Sequence, residues 1–150
     1  MKNVIQLKNK ETGQSMVELA LTITILMVLL AGTVDLGRAF FTWLALRDAA
    51  QEGASYGSLN PTDSTGLEQR VLDNLEQVVG GQPSSSINVT VQTFPNPVPP
   101  HYSCMGDTIQ VDVSYPNFPL TTPFLGTILG SQFIPIHATI NDTVLMPPCN

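Results

Sequence analysis

The stretch G-Q-S-M-V-E-L-A-L-T-I-T-I-L-M-V-L-L-A-G-T-V-D, Gly13 to Asp35, decides how the rest of the chain is read. No charged residue interrupts the positions from Leu19 to Val34. Extended to Met16 and Gly37, the run reaches about twenty residues, the length a helix needs to cross the hydrocarbon core of a bilayer. Glu18 and Asp35 bracket it. On its N-terminal side stand Lys2, Lys8 and Lys10, half of the six basic residues of the 150-residue chain. Beyond position 13 only Arg38, Arg47 and Arg70 are basic, against eleven acidic side chains. Positive charge is retained on the cytoplasmic side of a membrane segment, so this asymmetry places the N-terminus inside and the bulk of the chain outside.

Three readings of the apolar run compete. One is a cleaved secretory signal, with its small residue near Ala31. It leaves Glu18 and the helical sequence that continues through Tyr56 without a role. Another is an uncleaved single-pass anchor, which also leaves Glu18 as an anomaly. The third resembles the class III signal of type IV prepilins: a short basic leader, a glycine, four residues, then a glutamate that opens the apolar stretch. Here the leader is residues 1–13. Cleavage after Gly13 makes Gln14 the first mature residue and Glu18 the fifth. A carboxylate at the edge of a membrane helix is costly and such residues are usually functional. In pilins it is thought to pair with the α-amino group of a neighbouring subunit, aligning that subunit for assembly. In a low-dielectric bundle such pairing offsets desolvation. The spacing from Gly13 to Glu18 favours this reading over a merely hydrated glutamate.

The helix is expected to continue past the membrane, since no proline precedes Pro61. Residues 14–57 are therefore read as one hydrophobic helix that spans the membrane and then extends, and residues 58–150 as an extracytoplasmic head. Asp35 and Arg38 are spaced to pair on one helix face. Phe40, Phe41 and Trp43 sit where an aromatic interfacial belt belongs. Ala45, Ala49 and Gly53 recur every fourth residue, as do Ala50 and Ala54. Small residues at that interval admit close approach of either another helix or the protein's own head. Gly32 and Gly37 are candidate bend points.

In the head, Thr65 and Glu68 have capping-box spacing. Leu67, Val71, Leu75 and Val78 then form an apolar stripe on a short helix that ends at Gly80-Gly81. Alternation predicts strands over residues 87–92, 109–115 and 136–141. The proline-rich segment 94–104 is extended loop. The segment PFLGTILG, 123–130, is read as a short helix or an apolar contact surface. The fold class is α+β: a long, partly transmembrane N-terminal helix, then a small antiparallel sheet with one packed helix. Cys104 and Cys149 both lie in the exported part, where an oxidising compartment lets them pair as a disulfide.

A net charge of -6 lacks the basic surface that phosphate binding requires, so no nucleic-acid partner is expected. His101, Cys104, His137 and Cys149 have no zinc-site spacing, and neither a metal nor a cofactor is expected. No catalytic motif, catalytic residue or small-molecule substrate is indicated. Asn88-Val-Thr and Asn141-Asp-Thr match glycosylation sequons by pattern only.

Three segments together resemble the TadE-like family of pilin-related proteins from tight-adherence (Tad/Flp) systems. These are GQSMVELALTITILMVLL; then DLGRA and AAQEGASYG at residues 35–39 and 49–57; and, more loosely, VDVSY and PLTTPF with a last strand ending near Met146. The chain departs from the pattern at Gln51, where members often carry arginine, and in its proline-rich loop and cysteine pair. The resemblance implies a pseudopilin or minor pilin cut by a prepilin peptidase and joined to other pilin subunits through its N-terminal helix. It also implies residence in the bacterial cytoplasmic membrane, with the head outside or at the cell surface. Two other roles fit the residues: the main filament subunit, and a single-pass anchored binding protein that never polymerises.

Overall fold

The computed structural model describes residues 11–78, 86–94 and 103–146. Helix α1 runs from Glu11 to Leu59, 49 residues or about 74 Å at 1.5 Å per residue. It passes through Gly32 and Gly37 without interruption. The polar side chains of its apolar half turn inward on their own backbone. Thr22 donates to the Glu18 carbonyl at 2.8 Å, Thr24 to Ala20 at 2.8 Å and Thr33 to Leu29 at 2.7 Å. In hydrocarbon such hydroxyls would otherwise be unpaired. The helix stops two residues before Pro61. The carbonyl of Ser58, near its end, accepts the Leu145 amide at 2.7 Å, so the tail after the last strand closes onto the helix terminus.

Helix α2, Ser64–Val78, follows a short turn. Its cap is not the Thr65–Glu68 box expected from spacing. Asp63 sits one residue ahead of the helix and its carboxylate accepts the Gly66 amide at 3.0 Å. The Tyr56 hydroxyl donates to the other Asp63 oxygen at 2.8 Å. The Gly66 amide first, then the Tyr56 hydroxyl, hold the Asp63 carboxyl below its usual range. Asp63 prevails because its short side chain reaches the third helical amide directly and gains a second partner from α1. Leu67, Val71 and Leu75 are buried as the stripe requires. The Gly80-Gly81 stop lies outside the described residues.

Strands β1 (Asn88–Phe94), β2 (Thr108–Pro119) and β3 (Phe133–Thr143) form one antiparallel sheet in the order β1-β2-β3. A seven-residue helix α3, Pro123–Leu129, interrupts the connection from β2 to β3. It ends on Gly130, whose φ of 73° is the left-handed conformation that glycine adopts at little cost. On β2 the residues Ile109, Val111, Val113 and Tyr115 point to the core and are buried. Phe118 is buried too, although its parity is wrong. The register shift between Tyr115 and Phe118 restores it, since these residues face Ile136 and Ile134 of β3. The extra residue falls in the segment that contains Pro116, which has no N–H to give a ladder.

The core is a single layer between helices and sheet. Ala45, Leu46, Ala49, Ala50 and Ala54 of α1 pack with Leu67, Val71 and Leu75 of α2 over the apolar face of β2 and β3. The small-residue stripe of α1 thus faces the protein's own head. A Cβ built on Gly53 would collide with a methyl of Val71, and Val is stiff at χ1 and yields little. Gly53→Val is therefore expected to destabilise the head by about 1–3 kcal/mol through overpacking. Gly37→Ala, where nothing lies within 4 Å of the added atom, is expected to be neutral or slightly stabilising. Thermal unfolding of the two variants in detergent checks the contrast.

Candidate functional site

The molecule offers two regions of functional interest on α1. The first is the N-terminal stretch from Gly13 to Leu30, all of it exposed. Gly13 and Gln14 are neighbours at its start, and Glu18 follows a little over one helical turn later. Nothing lies within 4 Å of the position a Gly13 side chain would take, so the backbone there is open to approach. Among the described residues the ion pairs are Asp35–Arg38 and Glu52–Arg70, and neither involves Glu18. The contrast along the helix is sharp: Leu29 is 67% exposed, whereas Leu46 is 0% exposed. One apolar helix therefore has two halves, one built into the core of the head and one exposed. The helix is long and apolar enough to cross a membrane, with a mean hydropathy of 2.2 in its apolar window.

The second region is the boundary between those halves. Asp35 is 1% exposed although it carries a carboxylate. One oxygen accepts the Thr121 amide at 3.1 Å. The other accepts the Thr122 amide at 2.9 Å and the Thr122 hydroxyl at 2.6 Å. Arg38 adds Nη1 at 3.7 Å from Asp35 Oδ1, donates to the Thr121 hydroxyl, and lies over the Phe118 ring at 5.4 Å. The pairing of Asp35 with Arg38 follows from their spacing. The Thr121–Thr122 partners lie more than eighty residues away, beyond the reach of any local spacing. The sequence does carry one signal: Thr122 precedes Pro123, which biases it to the extended conformation found here and leaves its amide free of any helix.

Past the boundary, exposed Phe40, Phe41 and Trp43 form edge and tilted ring contacts, with ring centroids 6.1 and 6.2 Å apart. Arg47 lies 5.9 Å from the Trp43 ring. Trp43, an apolar ring with a polar N–H beside a cation, suits the headgroup level of a bilayer.

At the far end, Cys104 is buried in a turn whose geometry Asp107 sets. The Asp107 carboxylate accepts the Cys104 amide at 2.9 Å, and the turn bonds to the tail through Gly106 N to Val144 O at 2.9 Å. Asp107 is thus part of the turn's own framework. Cys149 and His101 lie outside the described residues. Among the described residues no group of three His, Cys, Asp or Glu side chains is placed to hold a metal.

These features define a class: a long helix, half membrane-like and half core, that carries a small α+β head. Residues 13–55 match the family model described as TadE-like protein. The match covers most of α1 and both sides of the Asp35 boundary, and it points to a pilus-related protein. No curated protein and no solved structure matches the chain.

The Asp35 boundary supports a direct test. Asp35→Ala removes three hydrogen bonds and strands two backbone amides. It is expected to lower the stability of the head by about 2–4 kcal/mol. Asp35→Asn keeps part of the acceptor capacity and is expected to cost less. Thermal unfolding, together with the rate of proteolysis between β2 and β3, measures both effects.

Proposed function

We propose that the protein is an exported pilin-like structural subunit, a minor pilin or pseudopilin of a tight-adherence pilus. Residues 1–13 are the leader, and a prepilin peptidase cuts after Gly13. Residues 14–57 anchor and assemble the subunit, and residues 58–150 form the extracytoplasmic head. The observation that carries the reading is the Gly13–Glu18 spacing at the start of a helix whose N-terminal half is exposed from Gly13 to Leu30. An uncovered apolar helix needs either lipid or neighbouring helices around it. A carboxylate at its head is costly unless a cation meets it. The new α-amino group of Gln14 on an adjacent subunit supplies such a cation. The site is an assembly site, and no step of bond making or breaking is assigned to this chain.

Cys104 and Cys149 complete the reading. The turn at Cys104 is hydrogen-bonded to the tail at Val144, and Cys149 follows five residues later. A bond between them would close a loop of about 45 residues and stabilise a small head by up to about 4 kcal/mol in the chain-entropy model.

Mass spectrometry of the mature protein is expected to find Gln14 as the first residue. An intact Met1, or a start near Gly32, would sink the pilin reading. Glu18→Ala is expected to leave export intact and to reduce incorporation into sheared filaments; unchanged incorporation would remove Glu18 from assembly. Intact mass is expected to rise by two hydrogens on reduction, which reports the cysteine pair.

A further inference from the structure

Helix α3 stands beside the membrane half of α1. An open groove separates them, with Ile23, Met27, Val28 and Ala31 on one wall and Thr122 and Leu125 on the other. Those four α1 residues belong to the uncharged run of residues 19–34. If that run spans the bilayer, α3 cannot lie outside it: the depth of residues 23–31 is also the depth of the groove. We propose that α3 and its flanking turns form a second membrane-inserted element, and that a lipid acyl chain of the outer leaflet occupies the groove. This rests on the membrane anchoring of α1 proposed above.

Three observations support insertion. No Asp, Glu, Lys or Arg occurs from Val113 to Asn141, although the rest of the head is acidic. A segment without charge is what hydrocarbon accepts. Three large apolar side chains of α3 and the start of β3 stand outside, with Gln132 the one large polar side chain exposed between them: Ile128 is 64% exposed, Leu129 60% and Phe133 52%. In water such a cluster is unfavourable. The polar groups are largely spent inside the segment. The Asp35 carboxylate takes the Thr121 and Thr122 amides, and the Gln132 carbonyl takes the Leu120 amide at 2.9 Å. Non-helical backbone at membrane depth requires such satisfaction.

The groove's own chemistry favours a lipid chain over a second helix. Helices that dock in membranes do so through small residues that admit close backbone approach. Here the walls carry Ile23, Met27, Val28 and Leu125, with only Ala31 small. The two hydroxyls on the groove are already committed, Thr24 to the Ala20 carbonyl and Thr122 to Asp35. An occupant therefore finds an apolar slot with no polar group to recognise, which suits an acyl chain.

Fluorescence quenching in vesicles of phosphatidylcholine brominated along the acyl chain tests the proposal. The full chain carries Trp43→Phe and one new tryptophan: Leu129→Trp for α3, Ile128→Trp as its neighbour, Leu26→Trp for the membrane run, or Gln69→Trp for the exposed head. The α3 probes are expected to lose fluorescence to acyl bromines to an extent comparable with Leu26→Trp, and to resist aqueous acrylamide. Gln69→Trp is expected to behave in the opposite way. If the Leu26 probe is quenched by bromine while both α3 probes answer to acrylamide, α3 lies in water and the proposal is overturned with anchoring intact. If the α3 probes are shielded from both quenchers, protein rather than lipid covers α3 and the proposal is overturned. If the Leu26 probe itself escapes bromine, the anchoring reading fails and the inference goes with it.

Discussion

The rest of the structure depends on a buried carboxylate at the point where α1 changes its surroundings. On the Gly13 side of Asp35 the helix is exposed, with only α3 standing beside it across an open groove; on the Leu59 side it becomes a wall of the head. A carboxylate buried there without partners would carry a desolvation cost of several kcal/mol. The Thr121 and Thr122 amides and the Thr122 hydroxyl meet it. The dependence is mutual, because those amides precede a helix that begins with proline and have no helical carbonyl to bond. Asp35 therefore fixes where the segment between β2 and β3 stands along α1. Arg38 clamps the same segment from one turn further on.

The head, in turn, has no core without α1. Three strands and a fifteen-residue helix are marginal by themselves. Ala45, Leu46, Ala49, Ala50 and Ala54 fill the space above the buried face of β2 and β3. Their small size brings the helix axis close to the sheet, and Gly53 lets α2 approach α1 where a Cβ would meet Val71. The exposed half is thus joined to the sheet through a continuous helix rather than a linker. This is a physical reason for a spine of 49 residues where about twenty would cross the membrane.

Much of this was legible in the sequence, and the parts that were not share a cause. The α1 helix, the Leu67–Val71–Leu75 stripe and the alternation of Ile109, Val111 and Val113 are local periodicities, and the α+β class follows from them. Whether the alanine stripe faced a neighbour or the protein's own head was open, because spacing specifies close approach and not the approaching surface. The extension of β2 to Pro119 escaped the alternation rule because a bulge resets parity between Tyr115 and Phe118. The Thr65–Glu68 spacing pointed to a cap that Asp63 takes, since the choice turned on Tyr56, a tertiary partner. Of the candidate site, Gly13, Gln14 and Glu18 are legible as a linear motif. The Asp35 clamp is not, since its two halves meet only in the fold.

The two proposals made for the uncovered half of α1 constrain each other. On the assembly reading, Glu18 meets a neighbouring subunit's N-terminus, so other helices must reach the residues around it. On the insertion reading, α3 and an acyl chain take the strip from Ile23 to Ala31. Glu18 lies five residues before Ile23, about 7.5 Å along the axis, beyond the groove's end. The groove also takes only one side of a cylinder, and Leu19, Leu26, Leu29 and Leu30 remain exposed elsewhere. A subunit can therefore keep its α3 against its own helix while neighbours pack on the remaining faces. Assembly then has a preferred direction of approach, set by where Asp35 holds α3. A helix shielded on one side admits fewer neighbours than a bare one, which suits a subunit used at few positions better than one repeated along a filament.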